Sequence, residues 1–215
     1  MIYTIIEESR TKTTYYTGQE RNISMAFTQH SYFQESLLNL ALSNETIKAV
    51  EYEECEFNGC SFIGCTFQKC KFISCKIIGC VISAMNPVDS SFTEVEFSRC
   101  KVIGCDWTKA MQLHGLDFAD CQINYSNFAM LKLAKIKMIN CEAKEVDFTE
   151  TDLSGGSFTG TDFERSVFFK TNLTKADLKG TVNYFIDPRN NTLKKARFSL
   201  PEALSLLSCL DIIIE

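Results

Sequence analysis

Cysteine recurs at every fifth residue through CEFNGCSFIGCTFQKCKFISCKIIGC (residues 55–80), with an apolar residue two places after each one. A period of five constrains the backbone more than any other feature of this sequence. Helices repeat near 3.6 residues and strands near 2, so neither would hold these positions on one face. A sustained fixed period is instead the signature of a repeat architecture. Take the apolar residue as position i and the smaller one as i−2. From Tyr52, position i advances in fives through Phe57, Phe62, Phe67, Phe72, Ile77, Ile82, Pro87, Phe92, Phe97, Val102 and Trp107. The phase slips by one residue near Ala110–Leu116, then runs from Phe118 through Ile123, Phe128 and Leu133 to Leu178.

Further along, the same register reads TDLSG, TDFER, TNLTK and ADLKG (151–155, 161–165, 171–175 and 176–180). These segments match the pattern A(D/N)LXX, and the chain resembles the pentapeptide-repeat family over about 130 residues. The resemblance implies an all-β fold, a right-handed quadrilateral parallel β-helix with four pentapeptides per coil. The i and i−2 side chains point inward and the other three positions face water. A square coil turns a corner every five residues, so only a small residue fits beside a Phe or Leu. Adjacent coils would pair as parallel strands about 4.8 Å apart, giving backbone donors and acceptors partners above and below. Seven coils at that spacing make a rod on the order of 30–35 Å long. Stability is then a sum over neighbouring coils, and both ends need caps against open strand edges.

Residues about 20 apart stack on one face of such a helix. With the slip counted, Cys60, Cys80, Cys100, Cys121 and Cys141 share one i−2 column, and Cys55 and Cys75 a second. Cys65 and Cys105 share a third, with Met85 between them. Elsewhere these slots hold Ser, Thr, Val or Ala, so the cysteines read as members of a small-residue set, as buried free cysteines commonly do. Zinc sites favour clustered pairs such as C-x2-C, which this sequence lacks. Cys60, Cys65, Cys70 and Cys75 converge inside one coil, but the large i side chains fill the same interior. Stacked thiols lie near disulfide range, yet parallel neighbours direct their Cβ atoms alike. Packing explains them, and no metal or cofactor is expected.

The repeats divide the chain into an N-terminal cap with irregular early coils (1–50), a regular β-helix (51–183) and a C-terminal module (184–215). In the first segment Phe27, Tyr32, Leu37, Leu42 and Ile47 keep the i phase, but Met25, His30, Glu35, Leu40 and Glu45 are poor i−2 residues. An offset of one, with Phe33 and Leu38 pointing inward, is the alternative, and residues 2–17 are expected to form two short capping strands. Pro87 cannot donate to the ladder, so one face must open there. The extra residue predicts a bulge near 110–116, around Gln112–Gly115. At the C-terminus, Ser199-Leu-Pro-Glu202 is a capping box that predicts a helix over 200–209, followed by a strand at Ile212, Ile213 and Ile214. Its apolar surface, with Leu204 and Leu207, marks a twofold dimer interface.

Chemistry is sparse. The two histidines, His30 and His114, belong to no H-E-x-x-H, and G-x-S-x-G and P-loop patterns are missing. A packed interior leaves no substrate pocket, so a non-enzymatic protein is expected. The net charge of −5 argues against a nucleic-acid binder, and no apolar run reaches the roughly 18 residues of a membrane span. With no secretory signal in MIYTIIEESRTK, eleven cysteines point to a reducing cytoplasm. Gln112 and His114 in the break, and Asp147, Glu150, Asp152 and Asp162 along the outward positions, are the candidate interaction surface. The tail is similar to that of Qnr-type quinolone-resistance and microcin immunity proteins. That resemblance implies a rod-shaped homodimer that imitates duplex DNA and binds DNA gyrase or topoisomerase IV, protecting it from quinolones or toxins. The sequence departs from it in lacking long projecting loops and in its modest charge. A generic β-helical scaffold or protein-interaction module is the alternative. A continuous negative stripe favours the first, and charges that average out on every face favour the second.

Overall fold

The structure is a computed structural model and describes residues 13–15, 30–210 and 212. Three-residue strands Ser31–Phe33, Ser36–Leu38, Ala41–Ser43 and Thr46–Lys48 form the sides of the first complete coil, each with its middle residue buried. Each pairs in parallel with the strand of the next coil, so that Tyr32 faces Tyr52, Leu37 faces Phe57, Leu42 faces Phe62 and Ile47 faces Phe67. These four columns define the first to fourth sides of a square solenoid of about 8 turns. At the parallel-strand spacing it is a rod of roughly 40 Å.

Regular coils therefore begin before Tyr52. Tyr32, Leu37, Leu42 and Ile47 are buried while Phe33 is 57% exposed, which removes the offset alternative and the irregular reading of 30–50. The ring of Tyr32 stacks on that of Tyr52 at 5.3 Å, a contact that only the in-phase register permits. His30 is exposed and Glu35 and Glu45 are half-buried, so these i−2 slots of the first described coil are less enclosed than those of the coils that follow. Thr13–Tyr15 pairs in parallel with Ser36–Leu38. The rest of the expected capping segment, with Met25 and Phe27, lies outside the described residues.

The corners come from left-handed backbone. Position i+2 has a positive φ in coil after coil, from 50° at Ser74 to 72° at Gly160. Glycine adopts this conformation freely, whereas other residues resist it by about 1–2 kcal/mol. Each corner also leaves the next i−2 amide buried, and the chain satisfies it in two ways. In the cysteine-rich coils the thiol one coil on accepts it: Cys60 N–H to Cys80 Sγ is 3.3 Å and Cys100 N–H to Cys121 Sγ is 3.4 Å. In the later coils the amide closes its own turn instead, as from Gly156 to the Leu153 carbonyl at 3.1 Å.

Inside, two aromatic ladders divide the rod. Tyr52, Phe72 and Phe92 stack along the first side, and Trp107, Phe128, Phe148 and Phe168 along the fourth. They meet edge to face where Phe92 touches Trp107 at 5.3 Å.

The two expected breaks prove to be one. Pro87 and Trp107 are stacked neighbours on the fourth side, and the extra residue is taken up there. The 3-10 turn Trp107–Lys109 replaces the left-handed corner, and Ala110 N–H bonds to the Trp107 carbonyl at 3.1 Å. Gln112–Ala119, where a bulge was expected, is instead a strand in unbroken parallel register with Ser91–Ser98. A six-residue side fits at this level because Pro87 offers no N–H to hold the overlying strand, and the Asp106 amide reaches the Met85 carbonyl only at 3.4 Å.

At the far end, Thr192 pairs with Asn172 and Arg197–Phe198 with Asp177–Leu178, which adds a partial last coil. The following helix is a short 3-10 segment, Glu202–Leu207, rather than the expected helix over 200–209. Ser199 does not cap it. Its Oγ accepts the Gly180 amide at 2.9 Å, one coil below, so the capping-box pattern is overridden by a long-range bond.

Candidate interaction surfaces

The thiols of the described interior serve the backbone. Sγ of Cys80 donates to the Phe57 carbonyl at 3.4 Å and that of Cys100 to the Ile77 carbonyl at 3.2 Å, so these thiols act as hydrogen-bonding corner pieces. Ser90, Thr161 and Ser166 do the same with hydroxyls at equivalent slots. This is the physical reason that Cys, Ser and Thr interchange at i−2. Burial pushes Cys75 and Cys105 up to about 12 and Cys141 to about 11, far from a reactive thiolate. All eleven cysteines are unpaired. Among the described residues no group of three or more His, Cys, Asp or Glu side chains is placed to hold a metal ion.

The sequence candidates scatter over the rod. Gln112 and His114 are exposed on the first side. Asp152 lies on that side, Asp147 on the fourth and Asp162 on the third, with Glu150 at the corner between the fourth and first. The three aspartates at i−1 are half-buried. Their Oδ1 atoms accept the amide two residues on: Thr149 at 2.8 Å, Ser154 at 3.0 Å and Glu164 at 3.0 Å. Such Asx contacts hold the turns. Asp152 also takes a bond from Asn172 at 2.9 Å, and Asp162 one from Asn183 at 2.8 Å.

Charges cancel from coil to coil. Lys170 meets Glu150 at 3.0 Å, Lys71 meets Glu51 at 2.9 Å, Arg197 meets Asp177 at 2.7 Å and Lys137 meets Asp117 at 2.5 Å, each across adjacent turns. On every one of the four sides acidic and basic residues balance to within a single charge. A surface groove of about 310 Å³ opens along the edge between the first and second sides and is lined by Glu35, Glu54, Glu56 and Lys76. At the C-terminal end Leu204 and Ile212 are exposed, Leu207 is half-buried and Leu206 packs on the core. Ile213 and Ile214 lie outside the described residues.

Family profiles agree with this architecture: residues 50–128 match a pentapeptide repeat region and residues 147–182 match pentapeptide repeats in 8 copies. The chain belongs to the pentapeptide-repeat family. No curated protein matches its sequence significantly. Among solved structures, this pentapeptide-repeat protein is similar to a trypsin-treated form of QnrB1, a plasmid-mediated fluoroquinolone resistance protein. The TM-score is 0.65 at 20% identity, covering 83% of this chain and 99% of that one. A second trypsin-treated form of QnrB1 gives 0.63 at 20% identity, covering 86% of this chain and 100% of that one. HetL, a pentapeptide repeat protein involved in heterocyst differentiation regulation in the cyanobacterium Nostoc, gives 0.51 at 8% identity, covering 77% of this chain and 84% of that one. At these identities the likeness is one of fold. Among the described residues no helix is long and apolar enough to cross a membrane.

Proposed function

We propose that this pentapeptide-repeat protein is a non-enzymatic, cytoplasmic binding rod that presents flat β faces to a protein partner. The observation that carries the reading is the coil-to-coil cancellation of charge. A rod with ion pairs between neighbouring coils at Lys71, Lys137, Lys170 and Arg197, and with each side balanced to within one charge, offers no long negative stripe. It is built to meet another protein rather than to imitate duplex DNA. The filled interior supports a role in binding, and the unpaired thiols suit a reducing compartment. Gln112, His114 and the acidic turn residues are its outward contacts, and Leu204, Leu207 and the terminal isoleucines are a candidate surface for self-association.

The second reading, protection of DNA gyrase or topoisomerase IV, draws on the likeness in fold to the trypsin-treated forms of QnrB1, of which 99% and 100% are covered. One assay separates the two. Gyrase supercoiling with purified protein, with and without a fluoroquinolone, should be unchanged on the first reading. Rescue at low protein concentration would replace it with the second.

A further inference from the structure

The first side breaks the rule of local cancellation. Apart from Asp152 its acids gather in the N-terminal half, at Glu51, Glu53, Glu54 and Glu94, and apart from Lys71 its lysines gather in the C-terminal half, at Lys132, Lys135, Lys175, Lys194 and Lys195. Of these only Glu51 and Lys71 form an ion pair with a described residue, with each other at 2.9 Å. Opposite charges set at the two ends of one face are complementary to a second copy of that face in reverse order.

We propose that two copies of this chain pair antiparallel through their first sides, about a twofold axis passing at Gly115. The register of the edge between the first and second sides carries the inference. Its residues all have positive φ and lie one coil apart, with Gly115 at the centre. A twofold axis lying in the interface reverses the order of coils but keeps the edge on itself. Glu94, one coil before Gly115, then meets the partner's Lys135, one coil after. Glu54, three coils before, meets the partner's Lys175, three coils after, beside the groove lined by Glu35, Glu54, Glu56 and Lys76. On the strand position below, Lys71 meets the partner's Asp152 by the same count. Nowhere on this side do like charges coincide, and Gly115 keeps the crossing point free of bulk. His114, exposed beside it, meets its own copy.

An interface held by exposed ion pairs is weak, fast-forming and sensitive to salt. Sedimentation velocity of the full chain at about 0.05 M and about 0.5 M salt should show a dimer that weakens at least tenfold at the higher strength. Glu54→Lys and Lys175→Glu, both at exposed corners, should each weaken the low-salt dimer by about tenfold or more, since every pair occurs twice. Combining them should restore it to within about threefold. A chain that stays monomeric at both salts overturns the proposal. So does a dimer indifferent to the single reversals, and one lost instead with Leu204→Asp places the contact at the C-terminus. The pairing covers Gln112 and His114 on the first side and leaves the other three sides open to a protein partner.

Discussion

The backbone N–H of Cys80 donates to Sγ of Cys100, 3.4 Å away on the next coil, and that sulfur in turn reaches the Ile77 carbonyl at 3.2 Å. A side chain that serves a corner this way cannot be replaced by any small residue alike. Cys100→Ala should destabilise by about 1–3 kcal/mol, because it strands a buried amide. Cys100→Ser, which keeps both bonds as Ser90 does, should cost about 1 kcal/mol less. Urea unfolding followed by emission of the single tryptophan, Trp107, measures both.

Buried thiols also set the alkaline limit. Cys75, Cys105 and Cys141 are raised by burial to about 12, about 12 and about 11, above the ordinary value of 9.0. A raised folded pKa means the folded state holds its proton longer than the unfolded one. The stabilisation is therefore complete below pH 9 and is lost as pH climbs toward 12. Denaturation midpoints should be flat with respect to these thiols up to about pH 9 and then fall with a slope above one proton. A flat profile to pH 11 would contradict the thiol assignment.

Ala84 holds a corner with φ near 50°, and Gly104 holds the same corner one coil on with open space around it. Ala84→Gly should raise stability by about 0.5–1 kcal/mol, the left-handed penalty less the entropy glycine loses on folding. Differential scanning calorimetry would show a higher Tm. A lower one would mean the corner is not left-handed in solution.

The turn aspartates can be tested without breaking the turn. Asp147→Asn, Asp152→Asn and Asp162→Asn keep the Oδ1 acceptor that each turn uses. Each should change stability by less than about 0.5 kcal/mol, whereas Asp152→Ala should cost about 1 kcal/mol. Partner binding that falls in the asparagine variants would assign the carboxylate charge a contact role as well.

Much of this fold was legible because a period of five in the i column runs unbroken from Tyr52 to Trp107, and no other backbone explains it. The first coil was obscured because His30, Glu35 and Glu45 occupy i−2 slots that are only partly enclosed and so tolerate polar residues. Gly59, Gly64, Gly79 and Gly104, all at i+2, carried the signal for left-handed corners, but glycine's preference is visible only once the corner geometry is known. Ser199 misled because its best local role lost to the Gly180 amide, nineteen residues earlier in the chain. As for the surface, Asp147, Asp152 and Asp162 look alike in sequence. Their dispersal over three sides follows from a twenty-residue coil, in which a shift of five turns a residue onto the next face.

That same geometry gives the side from Cys105 to Ala110 the character of an expansion joint. Elsewhere one added residue would rotate every later side chain out of phase with the coil beneath it. Here the 3-10 turn after Trp107 absorbs the surplus, and Phe118 still stacks on Phe97 at 4.8 Å. The chain can therefore gain or lose length at this level without misaligning the halves on either side, and removal of Lys109 should shorten the joint while leaving both aromatic ladders intact.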